Sequence, residues 1–156
     1  MEKDNTKPDW YHIAEVELVY RSKVKPSQRP QVTTSGDIHK ILRQVWNMDK
    51  MELVEQFKVL FLNRANRVLG VLDASSGGIT GTVADPRIIL AAAIKCNAVN
   101  IILSHNHPSG SIKPSRADEQ LTLKIKEAAR YLDMSVIDHV IMTSEEYFSF
   151  ADEGLI

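Results

Sequence analysis

The sequence is short of cysteine, of long apolar runs and of net charge, and each shortage removes a class of protein. Cys96 stands alone, so no internal disulfide is possible and a reducing compartment suits the chain. No apolar run approaches the ~18 residues that a membrane helix needs. The start, Met1-Glu2-Lys3-Asp4-Asn5, is polar with no apolar h-region behind it, so no signal peptide is expected and the expected location is cytoplasmic. The net charge is -1, which implies no general attraction to nucleic acid or to acidic membranes; a local basic patch stays open. There is also no internal repeat and no low-complexity tract. What remains is a chain of 156 residues, 44% hydrophobic and 25% charged, enough for one domain with a real core.

Periodicity gives the element order. Ala14, Val16, Leu18 and Tyr20 alternate with Glu15, Glu17, Val19 and Arg21, a near-strict period of two and the pattern of a half-buried strand. Residues 22–35, with Pro26 and Pro30, read as a mobile loop that carries Lys23, Lys25 and Arg29 without nearby acids. This is either a solvated loop or a contact for an anionic partner. Ile38, Ile41, Leu42, Val45 and Trp46 recur at helical spacing, with Ser35 or Asp37 as the cap. Residues 55–62 predict a buried strand, 63–66 a turn and 67–74 its antiparallel partner, broken by Ser75-Ser76-Gly77-Gly78. Residues 79–83 suggest a further short strand. Asp85-Pro86 opens a helix running to about Cys96. Residues 99–103 form a buried strand. Leu121, Ile125, Ala128 and Leu132 mark one face of a long helix, residues 136–142 another strand, and Tyr147, Phe148 and Phe150 further core. The expected fold is a layered α/β (α+β) domain with a mixed sheet.

Residues 104–118 carry the chemistry: Ser-His-Asn-His-Pro-Ser-Gly-Ser-Ile-Lys-Pro-Ser-Arg-Ala-Asp. A strand sets residues i and i+2 on one face, so His105 and His107 at a strand end can converge on one ion. Asp118, where a helix begins and the chain turns back, is the natural third ligand. Two histidines and a carboxylate are a known catalytic zinc set with the fourth position open to water. One zinc per chain is expected. Taken singly, the parts have plainer readings: His-x-His is common by chance, and Ser115-Arg116-Ala117-Asp118 is also a helix capping box.

The intervals His-x-His, seven residues, Ser, two residues, Asp match the JAMM motif at His105, His107, Ser115 and Asp118. With Ser-His-Asn-His-Pro-Ser-Gly, Thr122, Pro86-Arg87 and Asp138-His139 in order, residues 35–156 resemble the RadC-like branch of the JAB/MPN metalloproteases. The resemblance implies a curved mixed sheet with helices on both sides, related to the cytidine deaminase arrangement. Residues 1–34 are expected to be a strand and basic loop extending the same domain. The family's usual N-terminal helix-hairpin-helix region has no expected counterpart here. The resemblance also implies a glutamate two residues before an aromatic that opens the first core strand. Glu55-Gln56-Phe57 matches this; Glu52 is the second choice. That glutamate would act as general base, and Ser115 would donate a hydrogen bond to the developing oxyanion.

The implied function is zinc-dependent hydrolysis of a peptide or isopeptide bond in a peptide or protein substrate. The alternative is a DNA-associated or scaffold module, for which Lys23, Lys25 and Arg29 and the family's DNA-repair label speak. Forty-nine residues separate Glu55 from His105, too few for the long insertions of ubiquitin-directed relatives. Asp138 is a candidate for orienting a metal histidine. Substrate and oligomeric state are not written in the sequence.

Overall fold

A computed structural model describes residues 13–17, 19–77 and 83–156. In chain order the elements are α1 (Ser35–Val45), β1 (Gln56–Leu62), β2 (Val68–Ser76), α2 (Pro86–Lys95), β3 (Asn100–Asn106), α3 (Arg116–Arg130), β4 (Ser135–Met142) and β5 (Tyr147–Ser149). The sheet order is β2-β1-β3-β4-β5, mixed in direction. β1 pairs antiparallel with β2 and β3, β4 runs parallel to β3, and β5 returns antiparallel to β4. The parallel step needs a crossover, which α3 supplies.

β1 and β3 lie inside the sheet with six of seven residues buried in each. Such strands need apolar side chains on both faces. Phe57, Val59, Phe61, Ile101 and Leu103 pack beneath α2 and α3 with Ile89, Ala93, Ile125 and Ala129. Leu60, Leu62 and Ile102 pack on the other face against Ile38, Leu42 and Trp46 of α1 and its end. Helices thus cover both faces, as the layered α/β reading expected. Leu42 is fully buried, and such burial contributes roughly 1.5–3 kcal/mol. Along α3 the inward face is Thr122, Ile125 and Ala129, one residue round from the expected stripe, and Leu132 is exposed.

α1 is capped by Thr34 rather than by Ser35 or Asp37. The Thr34 hydroxyl accepts the Asp37 N–H, and Asp37 at the third helical position accepts from Thr33 and Thr34. The Thr33 hydroxyl, then the two backbone N–H groups, pull the Asp37 pKa down to about 2. That part of the stability is present above the usual carboxylate pKa and is lost as pH falls toward the lowered one. Thr34→Ala is expected to cost about 1 kcal/mol in urea unfolding at neutral pH. Parity with the parent chain would rule out the cap.

The expected strand near residues 14–20 does not form: residues 13–17 and 19–20 carry no strand pairing, and Ile13 and Val16 are exposed (Leu18 lies outside the described residues). Alternation supplies a face but not a partner. The sheet edge beside the start of β2 is occupied instead by residues 30–32. Val68 N–H donates to Pro30 C=O, Val32 N–H to Asn66 C=O, and Gln31 bridges Arg67. The segment read as a loop is therefore anchored at its end, with Val32 buried. β2 also runs through Ser75 and Ser76, which were expected to break it. Of the suggested strand at 79–83, residues 79–82 lie outside the described residues, and Val83 is exposed and unpaired.

Candidate metal centre

β3 carries its regular pairing three residues further than the apolar run suggests, through Ser104, His105 and Asn106. His107 N–H then donates to Met142 C=O, and Gly110 turns the chain with φ +82, a conformation that favours glycine. The chain returns through Pro114 to Ser115, which caps α3. Ser115 Oγ accepts the Asp118 N–H at 3.1 Å, and Ser115 N–H donates to Asp118 Oδ2 at 2.7 Å. The capping box thus aims the Asp118 carboxylate back at the strand end.

His105, His107 and Asp118 converge there and form a group able to hold a metal ion. The two histidine Nε2 atoms are 2.9 Å apart; His105 Nε2 lies 3.3 Å from Asp118 Oδ1, and His107 Nε2 3.6 Å from Asp118 Oδ2. A tetrahedral ion with bonds of about 2.0–2.1 Å sets its donors about 3.3 Å apart, so the spacing fits. His105 is buried, whereas the His107 and Asp118 side chains keep 16% and 17% of their exposure. The site is closed below and open to solvent on one side.

The hydrogen-bond network assigns the protons. Thr122 Oγ1 donates to Asp118 C=O at 2.6 Å, which uses its one proton. It must therefore accept from His139 Nδ1–H, also at 2.6 Å. His139 is fully buried, and burial drives its pKa well below the usual imidazole value, so its Nε2 is a bare acceptor. That nitrogen takes the His105 Nδ1–H at 2.8 Å. His107 Nδ1–H donates to Ser111 C=O at 2.6 Å. Both ligand rings are left with the Nε2 lone pair facing the carboxylate. Three electron-rich atoms meeting this closely can share a cation.

A proton can stand in for that cation. The hydrogen bond to Asp118 raises the His107 pKa against its burial, with help from Ser111 C=O and the nearby charges of Asp118 and Glu55. Burial pushes the Asp118 carboxyl up, but the His105 and His107 hydrogen bonds and the Ser115 N–H outweigh it and hold it far below the usual range.

Glu55 is half-buried at the foot of β1, close enough for its charge to act on His107. Glu52 is exposed and accepts the Ser144 hydroxyl at 2.6 Å, in a groove beside Pro108 and Gly110. Ser115 is exposed at the helix start. Lys23 and Lys25 are exposed in the segment before α1, and Arg29 turns back to Ser22. None of these three cations hydrogen-bonds to His105, His107 or Asp118.

The expectation that Asp138 orients a metal histidine is overturned: its carboxylate accepts from Ser149 Oγ, Ala151 N–H and His139 N–H on the α1 side of the sheet. The neighbour His139 does the orienting. Ile101 pairs with Val136 but Ile102 with Asp138, so Ile137 is an extra residue, a bulge. From there on, β4 presents its odd-numbered residues to the metal face. Strict alternation from Val136 would have pointed Asp138 there instead, and no residue type in the stretch announces the bulge.

The family model for the RadC-like JAB domain matches residues 32–155. A UPF0758 protein of Flavobacterium johnsoniae is 40% identical over 145 residues, 92% of this chain and 62% of that protein. One from Rubrobacter xylanophilus is 34% identical over 146 residues, with the same coverage. One from Nitrosococcus oceani is 45% identical over 102 residues, 65% of this chain and 46% of that protein. The chain therefore spans less than two thirds of these relatives' length. Among the described residues no helix is long and apolar enough to cross a membrane. The mixed five-stranded sheet between helices agrees with the match, and the chain belongs to the RadC-like JAB domain family.

Proposed function

We propose that the chain is a zinc-dependent hydrolase of peptide or isopeptide bonds. The observation that carries this reading is the meeting of two oriented imidazole lone pairs and one carboxylate at a solvent-facing strand end. Two nitrogens and one oxygen in a roughly tetrahedral array suit zinc, with one position left for the reacting water. Zinc bound there would lower the pKa of that water to ~7.

The chain's own groups would do the rest. Glu55, beside His107, takes a proton from the attacking water and returns it to the leaving nitrogen, so water adds across the C–N bond and acid and amine result. Ser115 Oγ is already an acceptor for Asp118 N–H, which frees its own proton to meet the carbonyl oxygen as charge develops. His105, held by His139, would keep its Nε2 lone pair facing an ion bound there. The substrate is then a peptide or protein segment laid along the open side of the site. The DNA-associated or scaffold reading rests on Lys23, Lys25 and Arg29, which stand apart from this centre.

The test compares the zinc-loaded parent chain with Glu55→Gln on a mixed library of peptide and isopeptide substrates, read by mass spectrometry. Both proteins are expected to hold equal zinc. Cleavage by the parent and a loss of 10²–10⁴-fold in the variant is the expected result. Undiminished cleavage by Glu55→Gln overturns the role given to Glu55, and a parent chain inert on the whole library counts against hydrolysis.

A further inference from the structure

Asn106 sits between two metal ligands and touches neither. It is fully buried, and its side chain points to the opposite sheet face, over Met51. There both amide N–H groups and the oxygen bond to one stretch of backbone. Oδ1 accepts the Gln56 N–H at 2.7 Å, and Nδ2 donates to Met51 C=O at 2.7 Å and Val54 C=O at 2.9 Å. Two of these partners, Val54 C=O and Gln56 N–H, belong to the residues on either side of Glu55. Gly77 N–H holds the Glu55 carbonyl from the β2 side at 2.8 Å.

The register says why such a clamp is placed here. The β1–β3 ladder closes at Phe57 opposite His105. Two more residues of the same register would set Glu55 opposite His107, on the face that carries the metal ligands. The backbone does not continue that far as a ladder; the Asn106 amide takes over where the ladder stops. Only a planar amide offers one acceptor and two donors to match one N–H and two C=O groups. An apolar replacement would take the Asn106 partner from all three groups, of which the Met51 contact is buried and the other two part-buried. The ligands do not depend on it, since His105, His107 and Asp118 are held by His139, Ser111 and Ser115.

We propose that Asn106 is a positioning residue that fixes Glu55 against the metal centre, so that one side chain ties the base to the strand bearing the ligands. This rests on the reading of Glu55 as the group acting beside the metal. It predicts a variant that keeps its metal and loses the influence of Glu55 on it.

The experiment uses the full chain loaded with cobalt(II) in place of zinc, and follows its visible absorption against pH in the parent, Glu55→Gln, Asn106→Ala and the double variant. Removing a carboxylate close to the ion makes proton loss at the centre easier. Glu55→Gln is therefore expected to move the midpoint down by on the order of one pH unit. Asn106→Ala is expected to bind one cobalt with parent-like intensity and to shift in the same direction, and the double variant to match Glu55→Gln alone. A parent midpoint in Asn106→Ala, beside a shifted Glu55→Gln, overturns the role of Asn106 and leaves the Glu55 reading intact. An unshifted Glu55→Gln overturns the Glu55 reading and this proposal with it. If Asn106→Ala does not hold cobalt, Asn106→Ser is measured in the same way. Loss of cobalt from both overturns the proposal, because Asn106 would then serve the folding of the ligand loop itself.

Discussion

Asp118→Asn is expected to give a folded chain that no longer holds zinc. The carboxylate has two jobs on two oxygens. Oδ2 accepts the Ser115 N–H and closes the cap of α3, while Oδ1 faces His105 Nε2. An asparagine can keep the first job, because its oxygen can accept the same N–H. Its amide nitrogen is then turned toward the His105 lone pair, where an N–H donates and occupies the place of the ion. The negative charge is lost as well. Zinc content should fall from about one per chain to near zero. The melting transition should survive, with the altered charge at the helix start costing about 1 kcal/mol or less. Elemental analysis and circular dichroism on the same preparation separate the two jobs. Equimolar zinc in this variant would sink the assignment of Asp118 as a ligand.

His139→Leu carries the second large effect. Leucine is apolar and of comparable bulk, so the pocket between Phe57 and Phe150 stays filled. What is lost is the acceptor for His105 Nδ1–H and the donor to Thr122 Oγ1. His105 then has nothing to fix its ring or its proton. A 10–100-fold weaker zinc affinity is expected, measured by competition with a chromogenic chelator. The metal-free variant should melt below the parent chain, since the buried His105 Nδ1–H loses its acceptor at a cost of about 1–3 kcal/mol. Unchanged zinc affinity would show that the His139 contact is packing alone.

Much of the ligand set could be read from local order. A two-residue period places His105 and His107 together, and a capping box returns Asp118, because both are properties of a few adjacent residues. α2 was equally plain from Asp85 and Pro86. What stayed hidden depends on contacts between distant segments. Asp138 and His139 are neighbours, and only the bulge at Ile137, set by pairing with β3, decides which of them meets His105. Asn106 finds Met51 and Val54 more than fifty residues back. The segment near Val16 has a strand's alternation, yet residues 13–17 carry no strand pairing, and the place beside the start of β2 is taken by Pro30 to Val32.

The centre also joins pieces of very different sequence separation. His105 and Asp118 are thirteen positions apart and join within one strand–loop–helix unit. Glu55 is fifty positions from His105 and arrives only when β1 has docked on β3. The extra loop entropy is small, about 1 kcal/mol for two doublings of length. The larger requirement is the sheet itself, since the clamp at Asn106 has no partners before β1 is in place. The ligand unit is therefore local in sequence, whereas the base is tied to it only through the pairing of β1 with β3 and the Asn106 clamp.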